Sequence, residues 1–202
     1  MTTIVGIVTK EGVVLASDKR ATEGNVIASK DAQKILPITD NIAIAAAGLV
    51  ADMQILGKIL SAELKLKELR SGTKVKAKEA ANLLALYLYS KRFYFIPYMV
   101  AIIVAGKDED KYSIYTIDAV GSLIEEKKYY AEGSGMMFAL GVLEAEYNEN
   151  LTLEEAKKLA EKAIRSAIKR DIGSGDGIEI VTISDKGIER TFKKIVPEVS
   201  SK

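Results

Sequence analysis

Apolar positions along this chain follow two rhythms, one of about two residues and one of about 3.6, and each change of rhythm marks an element boundary. Residues 2–9 (TTIVGIVT) are dense in β-branched side chains, and residues 12–17 (GVVLAS) follow a turn at Lys10, Glu11 and Gly12. That is a β-hairpin signal. A third strand over 41–47 runs into Gly48. Helical spacing then takes over. Over 50–69 it brings Met53, Leu56, Leu60 and Leu64, with Ile59 beside them, onto one face; over 76–92 it gathers Ala80, Leu83, Leu84, Tyr87 and Leu88. The run YMVAIIVAG at 98–106 does not alternate, which predicts a strand buried on both faces. Its successor KYSIYTID at 111–118 does alternate, which predicts a half-exposed neighbour.

Residues 133–147 predict a helix, and 152–170 predict the clearest one in the chain. Thr152 and Glu155 have the spacing of a capping box. Behind them Ala156, Leu159, Ala160, Ala163, Ile164, Ala167 and Ile168 form one apolar stripe opposite a charged face. Two strands, 177–183 and 187–192, close the pattern. The order is strands, two helices, strands, two helices, strands. An α+β sandwich with helices on the outer faces of its sheets accommodates that order with short connections.

Composition narrows the picture. The 202 residues include three prolines and no Pro/Gly-rich linker, so one domain over 1–202 is expected, with a flexible tail from about 194 to 202. A net charge of +1 leaves no basic excess for phosphate neutralisation, which argues against nucleic-acid binding. The longest apolar runs, 42–50 and 99–105, fall well short of the ~20 residues a membrane helix needs. No membrane partner is expected, and the expected location is cytoplasmic.

The absence of Cys and His changes the picture most. It removes disulfides, thiolate chemistry, histidine bases and the commonest metal ligands, so no metal or cofactor is expected. If this chain does nucleophilic chemistry, the base is an amine or a carboxylate. Thr2, directly behind Met1, carries both parts once Met1 is gone: a hydroxyl nucleophile and a free α-amine. An α-amine titrates near 7.7–8 and a lysine near 10.4, a gap of about 2.5 units or about 3.4 kcal/mol in the availability of the neutral base near pH 7. The terminal amine is the more accessible base.

Other segments carry possible chemistry. Asp18, Lys19 and Arg20 end the second strand, and Lys34 lies in a short, partly apolar stretch. Gly48 opens a helix, where a backbone N–H is placed to stabilise an oxyanion. The Gly-rich stretches at 133–135 and 173–177 lack the spacing of a phosphate-binding loop. Asp171 sits at a helix C-terminus, where the helix dipole disfavours a carboxylate unless something local compensates.

In order along the chain, TTIVGIV (2–8), GVVLASDKRAT (12–22), IASKDAQKI (27–35), AAAGLVAD (45–52), GSG (133–135), GVLEAEY (141–147) and IKRDIGSGDGIEI (168–180) resemble archaeal-type proteasome β subunits, within the N-terminal-nucleophile hydrolases. The resemblance is collinear from Thr2 to about Ile188. It implies a four-layer αββα sandwich and a threonine protease working inside a closed chamber. The implied partners are proteasome α subunits in stacked heptameric rings, other β subunits and a gating or unfolding ATPase, with unfolded proteins as substrates. Thr2 matches the nucleophile, Lys34 the lysine whose charge lowers the nucleophile's pKa, and Asp18 the carboxylate that pairs with it. Gly48 matches the oxyanion-hole N–H. Ser134, Asp171 and Ser174 match the network around the terminal amine. Thr22 falls where family members bind the substrate backbone, and Ala21, Ala46 and Val50 fall in the first specificity pocket, which implies cleavage after large hydrophobic residues.

The chain departs from the family pattern at Ile4, where a third threonine is common, and at Glu132 and Met136 beside the GSG loop. Many relatives carry a propeptide ending in Gly that is removed autocatalytically. Here Met1 precedes Thr2, so the expectation is that Met1 is removed. If it stays, Thr2 nitrogen is an amide and the alternative is a non-catalytic ring subunit. A bacterial-type two-ring relative also begins this way, but residues 168–180 and the C-terminal region resemble the archaeal type more closely.

Overall fold

The computed structural model describes residues 1–195, which form twelve strands and four helices. In chain order these are β1 (Thr3–Val8), β2 (Gly12–Asp18), β3 (Ala21–Glu23), β4 (Val26–Ser29), β5 (Ile35–Pro37), β6 (Ile42–Gly48), α1 (Val50–Ser71), α2 (Ala77–Lys91), β7 (Val100–Lys107), β8 (Tyr112–Ile117), β9 (Leu123–Glu126), β10 (Tyr129–Gly133), α3 (Met136–Glu146), α4 (Leu153–Ile168), β11 (Gly177–Ser184) and β12 (Gly187–Lys194). Two five-stranded antiparallel sheets carry the fold, ordered β10-β1-β2-β11-β12 and β5-β6-β7-β8-β9; β3 and β4 form a separate hairpin.

The strand period of two sorts side chains into three apolar layers. Between the sheets, Ile4, Val13, Leu15 and Val181 of the first meet Ile35, Ala45, Ile103 and Ile114 of the second. Val5, Ile7, Val14 and Ile180 point the other way, onto Leu143 of α3 and Leu159, Ala163 and Ile164 of α4. Ile42, Ile44, Ile102 and Val104 pack outward against Leu56, Leu60, Ala80, Ala81 and Leu88 of α1 and α2. The order is therefore helices, sheet, sheet, helices: the four-layer αββα sandwich.

The helix of 152–170 keeps its sequence-predicted form. Thr152 accepts from the Glu155 N–H, and Glu155 reaches back to the Thr152 N–H at 2.9 Å. Elsewhere the structure corrects the pattern. β8 is buried along its whole length, not half-exposed. Its small polar residues Ser113 and Thr116 are buried as well, because both faces are covered, one by the opposite sheet and the other by α2. Leu83 is exposed, because α2 lies on the sheet along a line of small residues, Ala77, Ala80, Ala81 and Ala85, interrupted by Leu84 and Leu88. α3 starts at Met136 rather than at 133, since 129–133 is β10 and Gly133 has a left-handed φ of 99°. The expected tail lies outside the described residues except for Lys194, which ends β12, and Ile195.

Candidate active site

β1 sits between β10 and β2, with Thr3 opposite Gly133 and Ile4 opposite Ser17. This arrangement places Thr2, which is 6% exposed, between the loop after β10 and the end of β2. Gly133 allows the approach: a Cβ there would stand 2.0 Å from the Thr2 carbonyl oxygen. Only a residue without a side chain fits.

Thr2 N–H donates to Ser134 Oγ at 3.1 Å. Ser134 Oγ donates in turn to Asp171 Oδ2 at 2.7 Å, and Ser174 Oγ donates to the same oxygen at 2.6 Å. A hydroxyl has one proton to give. With the Ser174 proton committed to Asp171, the 2.7 Å contact between Ser174 Oγ and Thr3 Oγ1 has Thr3 as donor. Asp171 Oδ1 also accepts from Gly173 N–H at 3.2 Å. These bonds compensate for a carboxylate at the end of α4, the local conflict visible in the sequence.

Asp18, at the end of β2, is fully buried and accepts four hydrogen bonds. Lys34 Nζ at 2.7 Å and Thr3 N–H at 3.0 Å reach Oδ1; the N–H groups of Arg20 and Gly175, each at 3.0 Å, reach Oδ2. A buried carboxylate with two donors on each oxygen is compensated for its lost hydration. Lys34 is buried beside it. Burial pushes the ammonium below the ordinary lysine value of 10.5; Asp18 opposes this by charge and by hydrogen bond, and Arg20 adds to the depression. The Lys34 carbonyl accepts from Ala46 N–H at 3.0 Å, which ties the residue to β6.

The hydrogen bonds thus run without a break from Thr2 through Ser134, Asp171, Ser174 and Thr3 to Asp18 and Lys34. All six side-chain positions expected from the sequence apart from Gly48 and the substrate-binding set lie on this chain of contacts. Gly48 ends β6, two residues beyond Ala46, with a φ of 129°. A Cβ on it would meet Met99 O at 2.1 Å. Ala21 and Thr22 lie on β3, where Thr22 Oγ1 is 3.4 Å from the Met1 nitrogen. Ala46 is buried in the cluster with Met53, and Val50 is the exposed first residue of α1.

Thr3, Gly175 and Arg20 complete the site and were not singled out as members from the sequence. Gly175 and Arg20 act through backbone N–H groups, which leave no mark on residue type. Arg20 also braces the 172–176 loop, its Nε 2.7 Å from Asp176 Oδ2 and its Nη1 3.1 Å from Ile172 O. The paired threonines at the start of the chain were the available signal for Thr3.

A threonine at the head of the first strand of an αββα sandwich is the architecture of the N-terminal-nucleophile hydrolase fold. The model of the proteasome subunit family matches residues 1–183. The chain is 53% identical to the proteasome subunit beta of Nanoarchaeum equitans, over 95% of this chain and 97% of that one. It is 46% identical to the proteasome subunit beta of Archaeoglobus profundus, over 99% and 92%, and 45% identical to that of Methanopyrus kandleri, over 91% and 87%. The chain belongs to the proteasome subunit family, on the side of its β subunits. β subunits of the proteasome core are threonine-type peptidases that assemble with α subunits in rings.

Proposed function

We propose that this β subunit is catalytic, with Thr2 as nucleophile and its own α-amine, freed by loss of Met1, as general base. The observation that carries the reading is the unbroken run of hydrogen bonds that fixes Thr2 and Thr3 between Ser134 on one side and the Asp18–Lys34 pair on the other. A purely structural subunit has no use for a buried lysine paired with a buried carboxylate at that place, because the pair costs desolvation.

The chemistry follows from the geometry. Lys34, while charged, stabilises negative charge developing on the Thr2 hydroxyl oxygen, and Asp18 keeps it oriented. The Thr2 proton passes to the terminal amine. Ser134, bonded to the Thr2 nitrogen and to Asp171, orients that amine and takes up the charge it gains through the carboxylate. Attack on a peptide carbonyl forms the new C–O bond, with the Gly48 N–H facing the oxyanion; the intermediate collapses by breaking the peptide C–N bond, the protonated terminal amine returns its proton to the leaving amine, and an ester of Thr2 remains. Water, deprotonated by the same amine, then adds to the ester, and the acyl group leaves as a carboxylic acid while the Thr2 hydroxyl is restored. Thr22 binds substrate backbone, and Ala21, Ala46 and Val50 line a pocket for large hydrophobic side chains. The subunit works in heptameric rings capped by α rings, in the cytoplasm, on unfolded proteins delivered by an ATPase.

In particles assembled with α subunits, Thr2→Ala and Lys34→Ala are expected to lower hydrolysis of a fluorogenic peptide ending in a large hydrophobic residue by at least about 10²-fold, while the rings remain intact. Near-normal turnover by Lys34→Ala would refute its role. A second reading is a non-catalytic subunit, in which Met1 stays attached to Thr2. In that state the Thr2 nitrogen is an amide and accepts no proton.

A further inference from the structure

Glu179, on β11, is fully buried, yet neither carboxylate oxygen has a hydrogen-bond partner among the described residues. Its same-face neighbours on the strand, Val181 and Ile183, are apolar and belong to the core between the sheets. A carboxylate there is costly without a partner. Its cross-strand neighbour Ser17, the residue before Asp18, likewise has an unpartnered buried hydroxyl. The compensating charge is Arg190 on the neighbouring strand β12. Arg190 Nε lies 2.9 Å from Glu179 Oε1, a charge contact whose N–H is not aimed along a hydrogen bond. Burial raises the Glu179 carboxyl above its ordinary value, and Arg190 is the largest opposing influence, ahead of Lys19; Asp31 adds to the rise.

The other arm of Arg190 explains what the pair holds. Its Nη2 crosses the gap between the sheets and donates to the carbonyl of Ile35 at 3.0 Å. Ile35 follows Lys34 directly and begins β5, a three-residue strand at the edge of its sheet that pairs with β6 alone. So short an edge strand has few backbone bonds of its own to fix it. The two residues are gripped from opposite sides: Lys34 through Nζ to Asp18, and Ile35 through its carbonyl to Arg190, with Gln33 Nε2 on the same oxygen at 3.1 Å.

We propose that Arg190, held by Glu179, is a positioning residue that fixes the Ile35–Leu36 peptide at the start of β5 and through it the place of the Lys34 ammonium relative to Thr2. The inference rests on the catalytic reading above. It assigns the buried carboxylate a purpose that packing does not: Glu179 keeps the guanidinium turned toward β5, and the guanidinium anchors the strand that delivers the lysine.

The test compares wild type, Arg190→Ala, Arg190→Lys and the isosteric Glu179→Gln, each assembled with α subunits, by steady-state peptide hydrolysis and by amide hydrogen exchange of the peptide spanning residues 34–37. Misplacing a charged group by a fraction of an ångström is expected to cut kcat about tenfold in Arg190→Ala and Glu179→Gln, with KM held within about twofold. Exchange over 34–37 is expected to quicken in both variants, and Arg190→Lys, which restores a donor but not the fork, should recover part of kcat. Wild-type kcat in correctly assembled variants overturns the proposal, and so does a loss of kcat with exchange over 34–37 unchanged. Glu179→Gln preserves side-chain volume and decides the matter if Arg190→Ala does not assemble. Should the wild-type particle itself hydrolyse nothing, the catalytic reading fails; the exchange comparison still tells whether Arg190 anchors β5.

Discussion

Lys34 is subject to two opposed effects. Burial favours its neutral form, and the Asp18 carboxylate at 2.7 Å favours the charged one; burial is the larger, so the ammonium gives up its proton below 10.5. In the proposed mechanism only the charged form stabilises an alkoxide on Thr2, so activity should fall on the alkaline side at a pH below that value. On the acid side it should rise as the terminal amine deprotonates, near its reference value of about 7.7–8. Asp18→Asn removes the influence that holds the Lys34 proton. The alkaline limb of its kcat/KM profile should therefore move to lower pH, along with a loss of overall rate; an unmoved limb would separate Lys34 from the titration. At this scale much was legible beforehand. Thr2, Asp18, Lys34, Ser134, Asp171 and Ser174 stood out by residue type and by family resemblance, and they lie on one connected network. Thr3, Gly175 and Arg20 did not, because what they give Asp18 is a backbone N–H that any residue could give.

Among the elements, those with long periodic stripes were readable and the short ones were not. α4 presents Ala156, Leu159, Ala160, Ala163, Ile164 and Ala167 at helical spacing and opens on a capping box, so spacing and end signal agree. Thr152→Ala should cost about 1 kcal/mol in urea unfolding while leaving peptide hydrolysis unchanged, since the cap lies away from Thr2. β3, β4, β5, β9 and β10 are three to five residues long and carry charged or exposed positions, too brief for alternation to register. β10 matters most of these, because it brings Ser134 to Thr2. Its last residue, Gly133, combines a left-handed φ with contact against the Thr2 backbone. Gly133→Ala forces that backbone aside. A loss of about 10²-fold in kcat is expected from the displaced nucleophile, measured on particles whose assembly is checked by native electrophoresis.

In the whole molecule, the segment order foreshadowed two sheets between two helix layers, but not which strands would be neighbours. β1 lies between β10 and β2, and β2 pairs with β11 from the far end of the chain. That topology assembles the site from five separated stretches: the chain start, the end of β2, the Lys34 segment, the loop at 134 and the loop at 171–175. The same closeness makes the state of one peptide bond decisive. With Met1 attached, everything around Thr2 is in place except a base. The most direct test is the intact mass of the β subunit purified in its assembled particle, read beside hydrolysis of a hydrophobic fluorogenic peptide by the same sample. The account predicts a mass short by one methionine residue together with turnover. Met1 retained without turnover, a free Thr2 without turnover, or Met1 retained in a particle that still hydrolyses the peptide would each contradict it.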